Sequence, residues 1–581
     1  MNRRLRENLM TAAAALVLTC LCLFPVFRPG LYRSADLLFH LSRLDGIVQA
    51  FSDGQLPIAV YPSKNFGFGY ASPLFYSDLF LIIPALAASK LGIPLLTVFK
   101  FLLFVFVYAA SYGMIHVVHK RTSVFPAGVL AASVLLFCNY YQTDLFVRGA
   151  LGEIMALAFL PLILDEICSF LFDGKDNWLR LALLYCAVIN SHIISFLFDV
   201  LIFAVLLAVF ARKWIMDRGR RFTLYKAVSA GFLLSCVFLL PFLQQYAAQD
   251  LAVRHMDPYL MSRSVVPLRH LLDDICLQFS FRFGSTAGLK AMDLYKNAGL
   301  IVLLVIPVYF LLYGGKNRWL DSLALITVFC VLCSTGLIPL QKLHVFDFIQ
   351  FPSRFYMPLI VISSFLAGYC FSRMNRKMLC ICGVLTAAYS LWNVSYLFLA
   401  AAKGSDILII DEQSQAKEMF EDWIYAGEGA YPEYSTHNWE EVHGGEYLPW
   451  TNDFNYSWYP KAPVIAAEEY VIEDFQRSGT EFIFAVDREE SMQIILPLSW
   501  YPGYTCFEVD ENGRRIAEIP VGAQQYTQLV YFSSLPGRHI YRIHYDGTTV
   551  QKVSLAVSSL TALALAAYAV RNRILNRRKG L

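Results

Sequence analysis

Pro94 to Val118 reads PLLTVFKFLLFVFVYAASYGMIHVV, and His119-Lys120-Arg121 follows it. The run holds one lysine, one histidine and no acidic residue. About 20 apolar residues cross a hydrocarbon core of roughly 30 Å. A basic cluster directly after such a run marks its cytoplasmic end. The segment therefore predicts a membrane-spanning helix, and it decides the class of the whole chain, because runs like it recur on both sides.

Working outward, further spans are expected at about 9–27, 124–141, 153–172, 179–191, 193–211, 223–246, 299–313, 318–336, 355–371, 378–400 and 553–570. Arg212-Lys213 with Arg218, Arg220 and Arg221, then Lys316 and Arg318, then Arg373, Arg376 and Lys377, and the tail from Arg571 to Lys579 all fall on the side of His119-Lys120-Arg121. About twelve spans then place both termini in the cytoplasm. The first run follows Arg3, Arg4 and Arg6 as a signal peptide would. It ends in Phe24-Pro25-Val26-Phe27-Arg28 with no small-residue cleavage site, so an anchor is expected. Pro73 to Leu91 is apolar but carries Asp78 and two prolines, and it reads as interfacial or re-entrant.

Composition agrees. Of 581 residues, 57% are hydrophobic and 16% charged, with a mean hydropathy of +0.49. Soluble chains carry about a quarter charged residues, which excludes a water-soluble enzyme. A net charge of +3 gives no reason to expect a nucleic-acid partner. Nearly all of the 13 cysteines sit in apolar runs, and only Cys276 and Cys506 fall in long polar stretches, so no disulfide framework is implied.

The reading is a polytopic α-helical membrane domain over 1–400, with outer loops at 28–93, 142–152, 247–298 and 337–354. An outer domain follows at 401–552, then a last span and basic tail at 553–581. Residues 401–552 hold 25 of the 45 acidic residues and five tryptophans, Trp423, Trp439, Trp450, Trp458 and Trp500. Alternating runs such as Glu481-Phe482-Ile483-Phe484-Ala485-Val486, broken by Tyr501-Pro502-Gly503 and Glu511-Asn512-Gly513, predict a small antiparallel β-sandwich.

The outer loops carry the chemistry. After the first span, Leu37, Leu41, Leu44, Val48 and Phe51 recur at helical spacing, with Asp36, His40 and Arg43 on another face. That pattern predicts a helix lying flat at the interface, a carboxylate, an imidazole and a guanidinium directed at headgroup depth. A carboxylate there takes a proton from an acceptor hydroxyl, and a cation holds a lipid phosphate. A merely solvated polar face is the plain alternative. Tyr140-Tyr141-Gln142-Thr143-Asp144-Leu145-Phe146-Val147-Arg148 and Glu153 form the second loop, where Asp144 and Arg148 at i,i+4 read equally as a structural ion pair. His192 lies between two short spans. Arg354 opens a span after Phe351-Pro352-Ser353, either snorkelling or gripping a lipid-linked phosphate. Gly67-Phe68-Gly69 matches half of a phosphate loop without the Gly-Lys-Ser or Gly-Lys-Thr that completes one.

Several motifs together resemble a known family: "Asp-x-x-Phe-His-Leu-x-Arg-Leu" from Asp36, "Gly-Gln-Leu-Pro" from Gly54, "Phe-Gly-Phe-Gly-Tyr-Ala-Ser-Pro-Leu-Phe-Tyr" from Phe66, "Arg-Gly-Ala-Leu-Gly-Glu" from Arg148, "Phe-Pro-Ser-Arg-Phe" from Phe351 and "Trp-Tyr-Pro-Gly-Tyr" from Trp500. The chain is similar to bacterial membrane proteins labelled 6-pyruvoyl-tetrahydropterin-synthase-related, relatives of the C-type glycosyltransferase superfamily. It lacks the His-x-His of the soluble pterin synthase, so pterin chemistry is not expected.

The resemblance implies a C-type (GT-C) fold and transfer of a sugar from a polyprenyl-phosphate donor to an envelope glycan, lipid or protein acceptor on the outer face of the plasma membrane. It makes Asp36 the base, Asp144 and Glu153 the second acidic site, and Arg148 and Arg354 the holders of the donor phosphate, with Arg43 as a further cation. His40 and His192 are helpers. In some members the second acidic site binds a divalent cation; here magnesium or manganese would fall to Asp36 and Asp144. The missing Trp-Trp-Asp acceptor motif argues against peptide glycosylation. A flippase or transporter of lipid-linked precursors, and an inactive envelope scaffold, are the alternatives. A flippase needs no base, so it would tolerate Asp36→Asn.

Overall fold

The computed structural model describes residues 3–578 except 33, 35, 256–264, 267–297, 404–408, 411–444, 451–463 and 466–471. Trp423, Trp439, Trp458, Cys276 and most of the 247–298 loop lie outside the described residues. In chain order the principal helices are α1 (Arg3–Cys22), α2 (Leu37–Ser52), α3 (Leu79–Leu91), α4 (Leu95–Thr122), α5 (Phe125–Phe137), α6 (Leu151–Cys168), α7 (Trp178–Ile189), α8 (Ile193–Val209), α9 (Arg218–Ala248), α10 (Leu300–Tyr313), α11 (Arg318–Ser334), α12 (Tyr356–Ser372), α13 (Arg376–Lys403) and α14 (Thr549–Arg578).

Each of the twelve expected spans falls on one of these helices. Among the described residues seven are long and apolar enough to cross a membrane: α1, α4, α6 with its extension to Asp173, α9, α12, α13 and α14. The chain is a multi-pass membrane protein in this sense. The remaining five, α5, α7, α8, α10 and α11, have 12–17 residues. At 1.5 Å per residue they cover about 18–26 Å, short of a 30 Å core. Helix α5 is short because Cys138 turns extended (φ −71°, ψ 156°) and the chain restarts as the turn Asn139–Thr143. Length and composition thus support seven of the twelve crossings. Helix α3, in the 73–91 stretch, has 13 residues with Pro84 inside it and falls among the same shorter apolar helices.

The chain divides into two compact units. The first comprises Met1–Leu37, Leu96–Gly231 and Asp257–Glu412. Its centre is α12, buried along almost its whole length and packed against α5, α6, α10 and α11. Gly368 permits the close approach: a Cβ there would lie 2.8 Å from Cγ1 of Val118. Small residues at helix contacts are the usual device where lipid offers no hydrophobic drive. Lys100, the cation inside the long apolar run of α4, donates to the Arg28 carbonyl at 2.6 Å. Leu31–Tyr32 (β1) pairs antiparallel with Ile409–Ile410 (β2).

The second unit comprises Leu38–Leu95, Phe232–Met256 and Gln413–Leu581. It contains the expected sandwich. Strands β3 (Val464–Ile465), β6 (Gln493–Ser499), β10 (Leu529–Ser533) and β9 (Val521–Ala523) form one antiparallel sheet in that order. Strands β4 (Glu473–Ser478), β5 (Glu481–Arg488), β11 (Gly537–Tyr545), β7 (Tyr504–Val509) and β8 (Arg515–Ile519) form the other. Phe482, Phe484 and Val486 alternate inward and join Ile494, Leu496, Leu498, Val530, Phe532, Tyr541 and Ile543 in one core. The register Phe484↔Tyr541 and Phe482↔Ile543 follows from that alternation.

Residues 38–95 belong to the same unit as the sandwich, although the sequence assigned them to the membrane domain. The reason is the loop between Tyr61 and Tyr70. Phe68 is fully buried against Ile495 and Leu529, and its carbonyl accepts the Ser499 N–H at 2.7 Å. Asn65 bonds the Ser499 hydroxyl at 3.1 Å, and Arg477 donates to the carbonyls of Pro62 and Gly67. The Gly-Phe-Gly amides are already used: Gly67, Phe68 and Gly69 donate to the carbonyls of Ser63, Asn65 and Lys64. No phosphate cradle remains.

Helix α2 also departs from expectation. Leu37, Leu41 and Leu44 are buried as the spacing predicts, but so are His40 and Arg43, at 2% and 1% exposure. The helix is enclosed on both faces and does not lie at an interface with its polar face in solvent. Arg43 is spent inside this unit. It donates to Asp78 at 2.7 Å and 3.1 Å and to the Ser77 carbonyl at 2.7 Å, with Tyr76 stacked over it at 4.3 Å. Tyr61 donates to the same Asp78, and Lys64 pairs with Asp45. The Nδ1 of His40 lies 3.2 Å from Arg43, between the rings of Phe39 and Tyr76. The Arg43 guanidinium is thus held by partners within its own unit, Asp78 and the Ser77 carbonyl.

Candidate active site

Five of the expected residues converge in the first unit: Asp36, Asp144, Arg148, Glu153 and Arg354. The local chain explains how. Asn139–Thr143 runs into a single π-helical turn, Asp144–Arg148, which Gly149 ends in the left-handed region (φ +66°). Such turns interrupt a helix to re-aim side chains. Here the turn brings Arg148 against two acids at once, Asp144 at 2.7 Å and Glu153 at 2.8 Å. Glu153 stands in the first turn of α6, where a carboxylate suits the helix dipole.

Arg354 arrives from the short 3-10 turn Pro352–Phe355 that opens α12. Its Nε lies 3.2 Å from the same Oε1 of Glu153, and its Nη1 donates to the Ile349 carbonyl at 2.9 Å and to Gln350 at 2.7 Å. Tyr140 completes the set, its hydroxyl donating to Oε2 of Glu153 at 2.8 Å while its ring meets Tyr356 edge-on. Asp144 and Glu153 are 0% and 1% exposed.

Asp36 sits just before α2. Its backbone N–H donates to the Arg148 carbonyl at 2.6 Å, and Arg148, Arg354 and Glu153 dominate its electrostatic surroundings. Burial pushes its carboxyl above the ordinary range, Glu153 adds to this, and the two arginines pull it back. The close approach depends on Gly149, where a Cβ would fall 2.1 Å from Oγ of Ser34.

His192 is buried at the start of α8, with Glu153, Arg354 and Arg148 as its charged surroundings. Its Nδ1 receives the Ser195 backbone N–H at 3.3 Å and lies 2.7 Å from the Ser195 hydroxyl. A backbone amide only donates, so Nδ1 is the acceptor and the ring proton sits on Nε2. Burial pushes the imidazole down to about 3, with the two arginines acting in the same direction and Glu153 against them. His192 is a fixed neutral cap, with no free lone pair at Nδ1 to act as a base.

The donor set does not suit a divalent metal. Arg148 occupies one oxygen each of Asp144 and Glu153, and among the described residues no group of three or more histidine, cysteine, aspartate or glutamate side chains is placed to hold an ion.

Sequence reasoning missed Tyr140, Gln350 and Tyr356. Tyr140 was visible as a tyrosine ahead of two acids in a polar boundary segment, but nothing in the spacing said it would reach Glu153.

Solved structures similar to the chain include two of one protein. Arabinofuranosyltransferase AftD from Mycobacteria aligns with a TM-score of 0.45 and 15% identity, over 69% of this chain and 27% of that one. A point mutant of the same protein aligns with a TM-score of 0.44 and 12% identity, over 94% of this chain and 42% of that one. The chain thus spans less than half the length of either. No protein-family model matches it, so membership of the pterin-synthase-related family is not shown. No curated protein matches it either.

Proposed function

We propose that this protein is a membrane glycosyltransferase that moves a sugar from a polyprenyl-phosphate donor to an envelope acceptor on the outer face of a plasma membrane. The observation that carries the reading is the convergence of two guanidinium groups, Arg148 and Arg354, on Glu153 beside Asp36. In such a transfer the acceptor oxygen bonds to the anomeric carbon while the bond from that carbon to the phosphate oxygen breaks. The phosphate leaves with the electron pair, which Arg148 and Arg354 neutralise. Asp36 takes the acceptor proton, and its raised affinity for a proton makes it a better base than an ordinary aspartate. Preorganisation supplies the rest, since both arginines are held by buried partners before substrate arrives. The twelve-span topology with both termini in the cytoplasm is part of the same proposal.

The test is loss of label from radiolabelled polyprenyl-phosphate sugars, incubated with detergent-solubilised protein and envelope extract. Wild type is expected to release sugar, and Asp36→Asn to abolish release while keeping its fold. Lipid translocation in vesicles that survives Asp36→Asn, with no sugar release from any donor, would overturn the transferase in favour of a flippase.

A further inference from the structure

Arg354 is aimed by a strained turn. The backbone N–H of Phe351 donates to the Ile349 carbonyl at 2.7 Å, a bond that spans only two residues, and Gln350 between them sits at φ +63°. A positive φ closed by such a bond is the rare form of the γ-turn, strained for a residue that has a Cβ. Strain of this kind persists only where the surroundings over-determine it, and it clusters at binding and catalytic sites.

The turn delivers two acceptors to one nitrogen. Nη1 of Arg354 donates to the Ile349 carbonyl at 2.9 Å and to Oε1 of Gln350 at 2.7 Å. The carbonyl that closes the turn therefore also grips the guanidinium. An arginine only donates, so the amide oxygen of Gln350, and not its nitrogen, faces Nη1. Nε is held by Glu153 at 3.2 Å, and the guanidinium carbon lies 5.3 Å from the centre of the Phe351 ring. Because the group is planar and rigid, fixing Nε and Nη1 fixes the direction of the third nitrogen as well. That nitrogen, Nη2, meets no acceptor among the described residues.

We propose that Gln350 is a positioning residue, which orients Arg354 so that Nη2 presents its N–H groups to the oxygens of a phosphate carried on an isoprenoid chain. The neutral amide matters as much as its place. A carboxylate at 350 would hold the guanidinium more firmly, since charge-assisted bonds are the stronger ones, but it would cancel the charge that a phosphate needs. Glu153 is already shared between Arg148 and Arg354. Gln350 adds a second anchor without adding a second negative charge. That the phosphate belongs to a sugar donor rests on the proposed transferase reading; the aiming of Nη2 by Gln350 does not.

Two variants of the full-length protein in detergent separate aiming from mere support. Calorimetry reads the binding of farnesyl monophosphate, with farnesol and inorganic phosphate as controls, beside the sugar-release assay. Gln350→Gly adopts the positive φ without steric strain and removes the acceptor, so its Tm should stay close to that of wild type. Its affinity for farnesyl monophosphate should fall about tenfold, and its donor KM should rise in proportion while kcat falls less. Gln350→Glu keeps the length and the acceptor, so it should be as stable as wild type and yet bind farnesyl monophosphate about tenfold more weakly. Farnesol should bind all three proteins alike. A merely structural Gln350 would leave the Glu variant with wild-type affinity, and that result would overturn the proposal even if Gln350→Gly failed to fold. Wild type that binds farnesyl monophosphate no better than farnesol would also overturn it. Inorganic phosphate bound with the same dependence on Gln350 would support the aiming and move the source of the anion from lipid to solution. If wild type releases no sugar while the affinities change as expected, the transferase reading falls and the positioning stands. If wild type releases sugar and Gln350→Gly keeps both KM and affinity, the reverse holds.

Discussion

The backbone N–H of Asp36 donates to the carbonyl of Arg148 at 2.6 Å, so the proposed base is positioned by the main chain of a proposed phosphate holder. Two loops separated by more than a hundred residues are thereby locked to one another at the backbone, whatever their side chains do. Gly149 is the weak point of that lock. In Gly149→Ala the new methyl would lie 2.1 Å from Oγ of Ser34, and a left-handed φ costs an L-residue roughly 1–2 kcal/mol. The variant is expected to fold with a modestly lower Tm and to lose at least tenfold in kcat, with a smaller change in KM. Unchanged kcat would mean that Asp36 does not need this contact.

Arg43 and Asp78 form a fully buried ion pair, and removing one partner leaves the other charge stranded. Arg43→Met alone and Asp78→Leu alone should each cost about 3–5 kcal/mol, and the double variant should recover most of it. Thermal unfolding of the four proteins measures this. If Arg43→Met instead left Tm unchanged and removed donor binding, Arg43 would be a ligand-binding cation after all.

Arg354 serves three acceptors at once, Glu153, Gln350 and the Ile349 carbonyl, which only a planar five-donor group can do. Arg354→Lys keeps the charge and loses the fork. The donor KM should rise by about tenfold while kcat falls less, and a variant with both parameters intact would remove Arg354 from the phosphate site.

His539 in the β-sandwich faces Glu508 at 2.7 Å through Nδ1 and the Pro536 carbonyl at 2.9 Å through Nε2. Both partners accept, so both ring nitrogens carry protons and the imidazolium is the bound form. The bond to Glu508 is the main reason its affinity for a proton rises above the ordinary value near 6.5. Because the folded value lies above the unfolded one, the stabilisation is complete below about pH 6.5 and disappears as pH rises through the folded value. The Tm difference between wild type and His539→Gln should therefore shrink from pH 6 to pH 9. A difference that grew with pH would reverse the assignment.

Much of this was legible in the sequence. Apolar runs located twelve helices, and alternation located the strands, because each signal is local and periodic. The site was half legible. Asp144, Arg148 and Glu153 lie within ten residues, and a polar patch between apolar spans stands out. Arg354 lies 201 residues beyond Glu153 and could be proposed only as a cation near the same face. The surroundings of Arg43 were not legible for a physical reason: helical spacing shows which side chains share a face, and it does not show what covers that face. The partner was Asp78, hidden in a stretch read for its hydrophobicity. Nor does periodicity predict the π-helical turn that lets one arginine reach two acids.

The Phe68 loop has a bearing on how the chain is made. Arg477, which holds the Gly67 carbonyl, follows it by 410 residues. At a synthesis rate of about 5–20 residues per second, that separation is roughly 20–80 s of translation. Throughout that interval a buried phenylalanine waits without its pocket, since Ile495 and Leu529 do not yet exist. The loop cannot be sealed during insertion of the early helices, and the second unit closes only after the strands around Ile495 and Leu529 have been made.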